Sequence, residues 1–304
     1  MKILEVKDYN HMPPINRYAI TWEINTLCNY DCDYCDLYGK EVSHNTDKVV
    51  EFINYVGTLK NVKLTLFGGE PSLHPLILTV LSNLKVKVEM YTNLSKSLSF
   101  YDKVIKIKPD IELETSFHPS REKFDTFYDK VKYLSNKVSK LEIVYMLDTN
   151  YLTYKQDYLK IKELCSDSVS SIIAKVEHSD QKQLSEEDEA WYLEEQSGED
   201  ITIAYEDNGE TKTKETISNY LFANSLNHFK YFMCGCGVHN IFIAHDGLVY
   251  PCLDYRRRSV DPYFGIHEDD FKKEFKRIST KGIVCKMNSC SSELGVPKKR
   301  VLNV

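Results

Sequence analysis

Cys28-Asn-Tyr-Asp-Cys32-Asp-Tyr-Cys35 places three thiols within eight residues. A tight loop of this kind turns three sulfurs toward one small inorganic core. Thiolates are the ligands of iron–sulfur clusters, and four close a 4Fe–4S cube. Three leave one iron open, and an open coordination position separates a catalytic centre from a structural one. A zinc site would pair the CxxC with a second CxxC or with histidines. The nearest histidine, His44, lies beyond a whole loop. A disulfide scaffold fits short secreted chains, whereas this chain has 304 residues, nine cysteines and no signal peptide.

The loop follows an apolar, strand-like run, Tyr18–Ile24. About 33 residues beyond the cysteines stands Leu64-Thr-Leu-Phe-Gly68-Gly69-Glu70-Pro71, a strand that ends in a glycine turn. CxxxCxxC with an aromatic residue (Tyr34) before its last cysteine, followed by this GGEP turn, resembles the signature of the radical S-adenosylmethionine (SAM) enzymes. The resemblance implies that Cys28, Cys32 and Cys35 hold a 4Fe–4S cluster and that SAM chelates its open iron. It implies that Gly68, Gly69, Glu70 and Pro71 receive the methionine end, with backbone groups near the ammonium and the carboxylate offsetting its charge. Tyr34 is then expected near the adenine.

Outward from these motifs the chain alternates strands with helices. Strands are expected at 63–67, 87–93, 111–117, 141–147 and 171–177. Helices are expected at 47–59, 75–84, 98–107, 121–137 and near 154–165, where Cys165 reads as a core thiol. With the first strand this makes six β/α repeats, so a parallel sheet with helices outside is expected. The family fold is similar, an α/β open partial (β/α)6 barrel of the TIM-like kind, with its chemistry at the C-terminal strand ends. Those ends offer Thr92 and Asn93, then Ser116 and His118, then Met146 and Asp148, and finally Lys175, Glu177 and His178. Thr92, Asn93 and Ser116 are read as cofactor-binding, and His118 as a catalytic residue facing substrate.

After residue 180 the pattern changes. Ser185–Glu195 is acidic, and Asn208-Gly209 between two β-prone runs is a strong hairpin signal. Beyond it come Cys234, Cys236, Cys252, Cys285 and Cys290. Cys234, an Asp246-Gly247 turn and Cys252 form C-x12-G-x4-C, a hairpin whose ends approach each other. This resembles the opening of the SPASM and twitch extensions of radical SAM enzymes, small cysteine-rich domains that bind auxiliary clusters. The shorter twitch type implies a second, auxiliary 4Fe–4S cluster on Cys234, Cys252, Cys285 and Cys290. Cys236 is a spare buried thiol or a competing ligand, and four thiolates also suit zinc. The expected organisation is an N-terminal extension (1–16), the partial barrel (17–180), a linking helix and hairpin (181–226) and the auxiliary-cluster domain (227–304).

Composition fits a cytoplasmic enzyme. With 42% apolar residues the chain can bury a large core, and no stretch reads as a membrane span. A net charge of −6 argues against general nucleic-acid binding. From Ser225 onward 13 Lys and Arg stand against 8 Asp and Glu, a face open to an anionic partner. The resemblance further implies a flavodoxin or ferredoxin as electron donor and hydrogen abstraction from a peptide or protein side chain, or from a nucleotide or sugar. A non-catalytic iron–sulfur carrier or sensor would need the cysteines but not the GGEP turn. A SAM methyltransferase would carry a glycine-rich loop where this chain carries cysteines.

Overall fold

The computed structural model describes residues 1–7, 17–35, 39, 41–43, 45–176, 184–196, 200–267, 270–278, 282–291 and 294–301. His44, Glu177 and His178 lie outside these residues. In chain order the elements begin with β1 (Lys2–Val6), β2 (Tyr18–Asn25), α1 (Thr46–Leu59) and β3 (Val62–Gly68). A 3-10 turn (Pro71–Leu73) leads to α2 (Ile77–Asn83), β4 (Lys87–Thr92), α3 (Leu98–Ile107) and β5 (Glu112–Phe117). Then come α4 (Phe124–Leu134), β6 (Lys140–Leu147), α5 (Tyr154–Lys162), β7 (Val169–Lys175) and α6 (Glu186–Glu194). The remainder is β8 (Asp200–Asp207), β9 (Glu210–Ile217), α7 (Ser218–Ala223), β10 (Phe232–Cys234), β11 (Asn240–Ile243), β12 (Leu248–Tyr250), α8 (Leu253–Arg257), β13 (Phe264–Gly265), α9 (Phe271–Ile278), β14 (Ile283–Val284) and β15 (Lys298–Arg300). No described helix is long and apolar enough to cross a membrane.

Two compact units form. One comprises residues 22–50 and 63–196, the other residues 1–21, 51–62 and 197–304. In the first, strands run in the order β2-β3-β4-β5-β6-β7, and β3 through β7 pair in parallel. Side chains alternate across a strand. One face therefore collects Leu64, Leu66, Val88, Met90, Leu113, Phe117, Ile143 and Tyr145, all buried. Phe117 anchors this side, 5.6 Å and 5.1 Å from the rings of Phe124 and Phe127 on α4 and 5.2 Å from Tyr145. The other face carries charge. Lys63 reaches Glu89 at 2.6 Å and Glu112 at 2.8 Å, and Lys87 pairs with Glu112.

The second unit is built on a six-stranded antiparallel sheet ordered β14-β10-β15-β1-β8-β9. β8 and β9 meet through Asn208 and Gly209, both at positive φ (52° and 84°), as a two-residue hairpin turn requires. Residues 2–6, placed by sequence in an N-terminal extension, form an interior strand here. Ile3 and Val6 are buried with Ile201, Ile203, Leu221, Phe229 and Phe232. A second antiparallel ribbon, β11-β12-β13, turns at Gly247 (φ 82°). Phe52 of α1 sits among Phe264, Phe271 and Phe275, at 5.9, 5.5 and 5.7 Å.

One sequence expectation is corrected. Cys165 is exposed, not a core thiol, because α5 ends at Lys162 and the cysteine falls in the following turn. Its Sγ lies 3.4 Å from Ser171 Oγ.

Candidate functional site

The cysteine loop leaves β2 at Asn25, and the GGEP turn leaves β3 at Gly68. Main-chain bonds tie the two together: Gly69 N donates to Asn25 O (2.9 Å) and Glu70 N to Leu27 O (2.7 Å). The approach is too close for a side chain. A Cβ on Gly68, whose φ is 144°, would stand 2.0 Å from Asn25 O, and one on Gly69 would stand 2.4 Å from Leu27 O. Glycine is therefore required twice by geometry.

The carboxylate of Glu70 is fully buried and faces its own chain. Its Oε1 accepts from Ser72 N (3.0 Å) and Thr92 Oγ1 (2.9 Å), and its Oε2 accepts from Asn93 N (2.6 Å). Burial pushes this carboxyl above its ordinary value, against hydrogen bonds that favour charge. The carboxylate caps the 3-10 turn and joins β3 to the end of β4. Pro71, next in the turn, is buried. Thr92 also meets Tyr101 Oη at 2.8 Å. Beside the turn, Asn25 Oδ1 is a buried acceptor with no hydrogen-bond partner among the described residues.

Asn93 links the turn to the cysteines. Its Nδ2 donates to Asn29 Oδ1 (3.1 Å) and lies 3.9 Å from Cys28 Sγ. Asn29 Oδ1 also accepts from Ser95 Oγ at 3.1 Å. Tyr30 N lies 3.4 Å from the Cys28 sulfur. Burial raises the Cys28 thiol. Cys32 is buried and Cys35 exposed. Cys32 Sγ lies 3.8 Å from His118 Nδ1, and Tyr34 Oη lies 2.7 Å from the same nitrogen, with the two rings stacked at 6.1 Å. Burial, and secondarily Arg121, lowers His118 to about 4, so the imidazole is neutral near pH 7. Burial, then the Cys32 sulfur, pushes the Tyr34 phenol up, so it keeps its proton. Arg121 pins the loop through Asp31, at 2.6 Å to the carboxylate and 2.5 Å to the carbonyl.

Ser116 is half-buried on β5, on the charged face of the sheet, in register with Val144. Two residues before it, Glu114 is raised to about 8 by burial and then by Glu142. Further along the strand ends, Asp148 is buried and accepts from Asn150 N (2.9 Å), and Lys175 pairs with Glu189 at 3.2 Å.

In the other unit a small enclosed space, with room for about one water molecule (≈ 10 Å³), is lined by Cys234, Cys236, Cys252, Cys285 and Cys290. All five are buried. Cys234 Sγ and Cys236 Sγ are 3.4 Å apart. Hydrogen bonding from Cys236, and then Lys298, pulls the Cys234 thiol down to about 6, while Cys236 is pushed well up. Burial raises Cys285 to about 11. Among the described residues no three His, Cys, Asp or Glu side chains converge on a single metal-ion position. The lining supplies soft sulfur donors in a closed space.

Sequence reading missed Asn25 and Asn29, met Glu114 only within a strand end and met Lys298 only within a basic tail. Asn29 adjoins Cys28, and its position was a usable signal. The others depend on strand register.

No family model matches the chain, and no curated protein matches it. Among solved structures it is similar to Streptococcus suis SuiB, with 12% identity and a TM-score of 0.44 over 85% of this chain and 65% of that one. The chain thus spans just under two thirds of SuiB's length. It is similar to SuiB bound to S-adenosylmethionine at 12% identity and a TM-score of 0.43, covering 87% of this chain and 68% of that one. It is also similar to BtrN in an open conformation, at 13% identity and a TM-score of 0.42, covering 91% of this chain and 96% of that one. The resemblance of this chain to the radical SAM enzymes rests on two motifs, Cys28–Cys35 and Gly68–Pro71, which stand at neighbouring strand ends of one sheet.

Proposed function

We propose that the protein is a radical SAM enzyme that abstracts a hydrogen atom from a peptide or protein side chain in a net oxidation or bond-forming reaction. The observation that carries this reading is the chain of contacts from Cys28 through Asn93 to Glu70. It joins a three-thiol loop to a glycine turn that tolerates no side chain. A non-catalytic carrier needs no such turn.

Cys28, Cys32 and Cys35 would hold a 4Fe–4S cluster with one iron left for SAM. When bound, that pair supplies reductive cleavage of the sulfonium to methionine and a 5′-deoxyadenosyl radical. The chain's own groups do the positioning. Asn93 and the Tyr30 amide donate toward the Cys28 sulfur. Asn25 Oδ1 and the carbonyls of Gly68 and Gly69 are assigned to the SAM ammonium, with the buried Glu70 carboxylate behind them. Tyr34 is assigned to the adenine side, and Ser116 to a ribose or carboxylate. His118, neutral and bonded to Tyr34, faces substrate as a hydrogen-bonding group, not as a cation. Cys234, Cys252, Cys285 and Cys290 would hold an auxiliary cluster that accepts the electron left on the substrate.

In this reading the parallel sheet belongs to a partial (β/α)6 barrel, and residues 227–304 to a twitch-like region. The electron donor is a flavodoxin or ferredoxin, and the compartment is a reducing cytoplasm. The test is anaerobic reconstitution, with iron and sulfide counts and 5′-deoxyadenosine formation from SAM under dithionite. Wild type should form 5′-deoxyadenosine. Cys28→Ala/Cys32→Ala/Cys35→Ala should lose it while keeping the second cluster. Wild type that binds iron but cleaves no SAM returns the protein to the class of carriers and sensors.

A further inference from the structure

The turn after β4 holds a leucine in a conformation that leucine rarely adopts. Leu94 is buried and has a φ of 53°. Left-handed backbone is costly for a residue with a Cβ, and it persists only where the surroundings fix it. Here the surroundings are built for it. Leu94 N donates to Thr92 Oγ1 at 3.1 Å. Leu94 O accepts from Nζ of Lys130, on α4, at 2.7 Å. Lys130 is in turn paired with Glu122 at 2.6 Å, and both side chains are largely shielded from solvent.

The left-handed leucine fixes the posture of Asn93 before it. Asn93 Oδ1 accepts from Ser95 N at 3.0 Å, closing a side-chain turn around Leu94. A main-chain donor therefore decides which end of the carboxamide is oxygen, and the NH₂ group faces the cysteine loop. That group has two N–H bonds and two acceptors: it donates to Asn29 Oδ1 at 3.1 Å and reaches Cys28 Sγ at 3.9 Å. Asn29 Oδ1 also takes Ser95 Oγ at 3.1 Å, which ties the same turn to the residue beside Cys28. The main chain of Asn93 is fixed as well, its N–H donating to Glu70 Oε2 at 2.6 Å. The amide is thus aimed at the sulfur by contacts within the chain, whether or not a ligand is bound.

We propose that Asn93 is a pre-set hydrogen-bond donor that raises the reduction potential of the cluster on Cys28, Cys32 and Cys35, and that the Lys130–Glu122 pair, acting through Leu94, keeps it in place. This rests on the first cluster of the proposed function. One electron enters the cluster from the reductant, and no bond forms or breaks. Hydrogen bonds to its sulfurs are one of the levers that set a cluster's potential, because they favour the more electron-rich state. Asn93 and Lys130 are positioning residues: the first acts through the Cys28 sulfur, the second through the turn.

The test is an anaerobic redox titration of the full chain with electron paramagnetic resonance detection. The first-cluster signal is obtained by subtracting that of the Cys28→Ala/Cys32→Ala/Cys35→Ala protein. Asn93→Ala should keep iron and sulfide at wild-type levels and shift the reduction equilibrium against the reduced form by about tenfold, about 59 mV for one electron. Asn93→Asp, with a carboxylate where the donor stood, should shift it at least as far. Lys130→Met/Glu122→Gln removes the ion pair without changing net charge and should shift it in the same direction by a smaller step. Full iron with the wild-type potential, in Asn93→Ala or in the double variant, overturns the proposal.

A merely structural role for the turn would lower iron content or the urea midpoint and leave the potential of the loaded protein unmoved. If Asn93→Ala fails to hold iron, Asn93→Asp is measured in its place against the same criterion. Loss of iron from both shows a loop-holding role and ends the proposal. A wild type with no more iron than the triple cysteine variant carries no first cluster. That result removes the proposed function and this inference together, and the iron counts report it before any potential is read.

Discussion

Replacing Glu70 by glutamine separates a structural carboxylate from a ligand-binding one. In the structure Oε1 accepts from Ser72 N and Thr92 Oγ1, and Oε2 accepts from Asn93 N. Glutamine has one acceptor oxygen. If it occupies the Oε1 position, its NH₂ group points at the Asn93 amide. If it is flipped, it points at the Ser72 amide. Either way one buried main-chain N–H loses its acceptor and one side-chain N–H gains no partner. Each unsatisfied buried group costs about 1–3 kcal/mol. The neutral amide recovers part of this, because burying the carboxylate is itself unfavourable, as its raised pKa shows. The net loss expected is about 2 kcal/mol.

Trp22 and Trp191, the two tryptophans of the chain, both lie in the unit containing Glu70. Tryptophan fluorescence in urea therefore reads that unit. With a slope of about 2 kcal/mol/M, the midpoint should fall by about 1 M. SAM binding should weaken with it, because the cysteine loop hangs on the same contacts through Asn93. A variant that melts at the wild-type midpoint but binds SAM poorly would refute the argument and make Glu70 a ligand counter-charge.

Two further outcomes are expected. Glu114 has a folded-state value raised to about 8 from an ordinary 4.5. Folding favours its protonated form, so stability is lost as pH climbs from 4.5 through about 8. Glu114→Gln should flatten that slope and melt at higher urea than wild type at pH 9, and identical midpoints from pH 5 to 9 would count against it. Phe52 is fully buried among three phenylalanines. Phe52→Ala should cost the unit that contains it about 3–5 kcal/mol, read by circular dichroism on heating. A change below about 1 kcal/mol would mean that the ring cluster does not hold this unit together.

The parallel sheet was legible because its strands pair with their neighbours in sequence and its helices carry their apolar residues at helical spacing. Strands expected at 63–67, 87–93 and 141–147 occupy 62–68, 87–92 and 140–147. Both glycine turns, Asn208-Gly209 and Asp246-Gly247, were readable because positive φ leaves few residue choices. The hydrogen-bond partners of Glu70 were not readable. A buried carboxylate and a ligand-facing one look alike until the register of β3 against β4 brings Thr92 and Asn93 to it. Lys298 was hidden for the same reason. In sequence it belongs to the basic tail Lys298-Lys299-Arg300, and only pairing with β10 turns it inward while Lys299 remains half-exposed. The charged face of the sheet escaped notice because Glu89, Glu112, Glu114 and Glu142 are scattered singly along three strands.

β1 has neighbours on both sides, β8 and β15. β15 lies about 290 residues further along the chain. At 5–20 residues per second a ribosome takes about 15–60 s to cover that distance. Through this interval Ile3 and Val6 have no finished sheet to enter, whereas β3 to β7 meet their partners within seconds of emerging. The two units should therefore mature on different clocks. The thiol cavity closes only after β15 is made, since Lys298 opposite Cys234 belongs to that strand. A group assembled there would be loaded onto an open site and sealed in once β15 pairs, and the Cys28 loop would be ready for its own ligand well before.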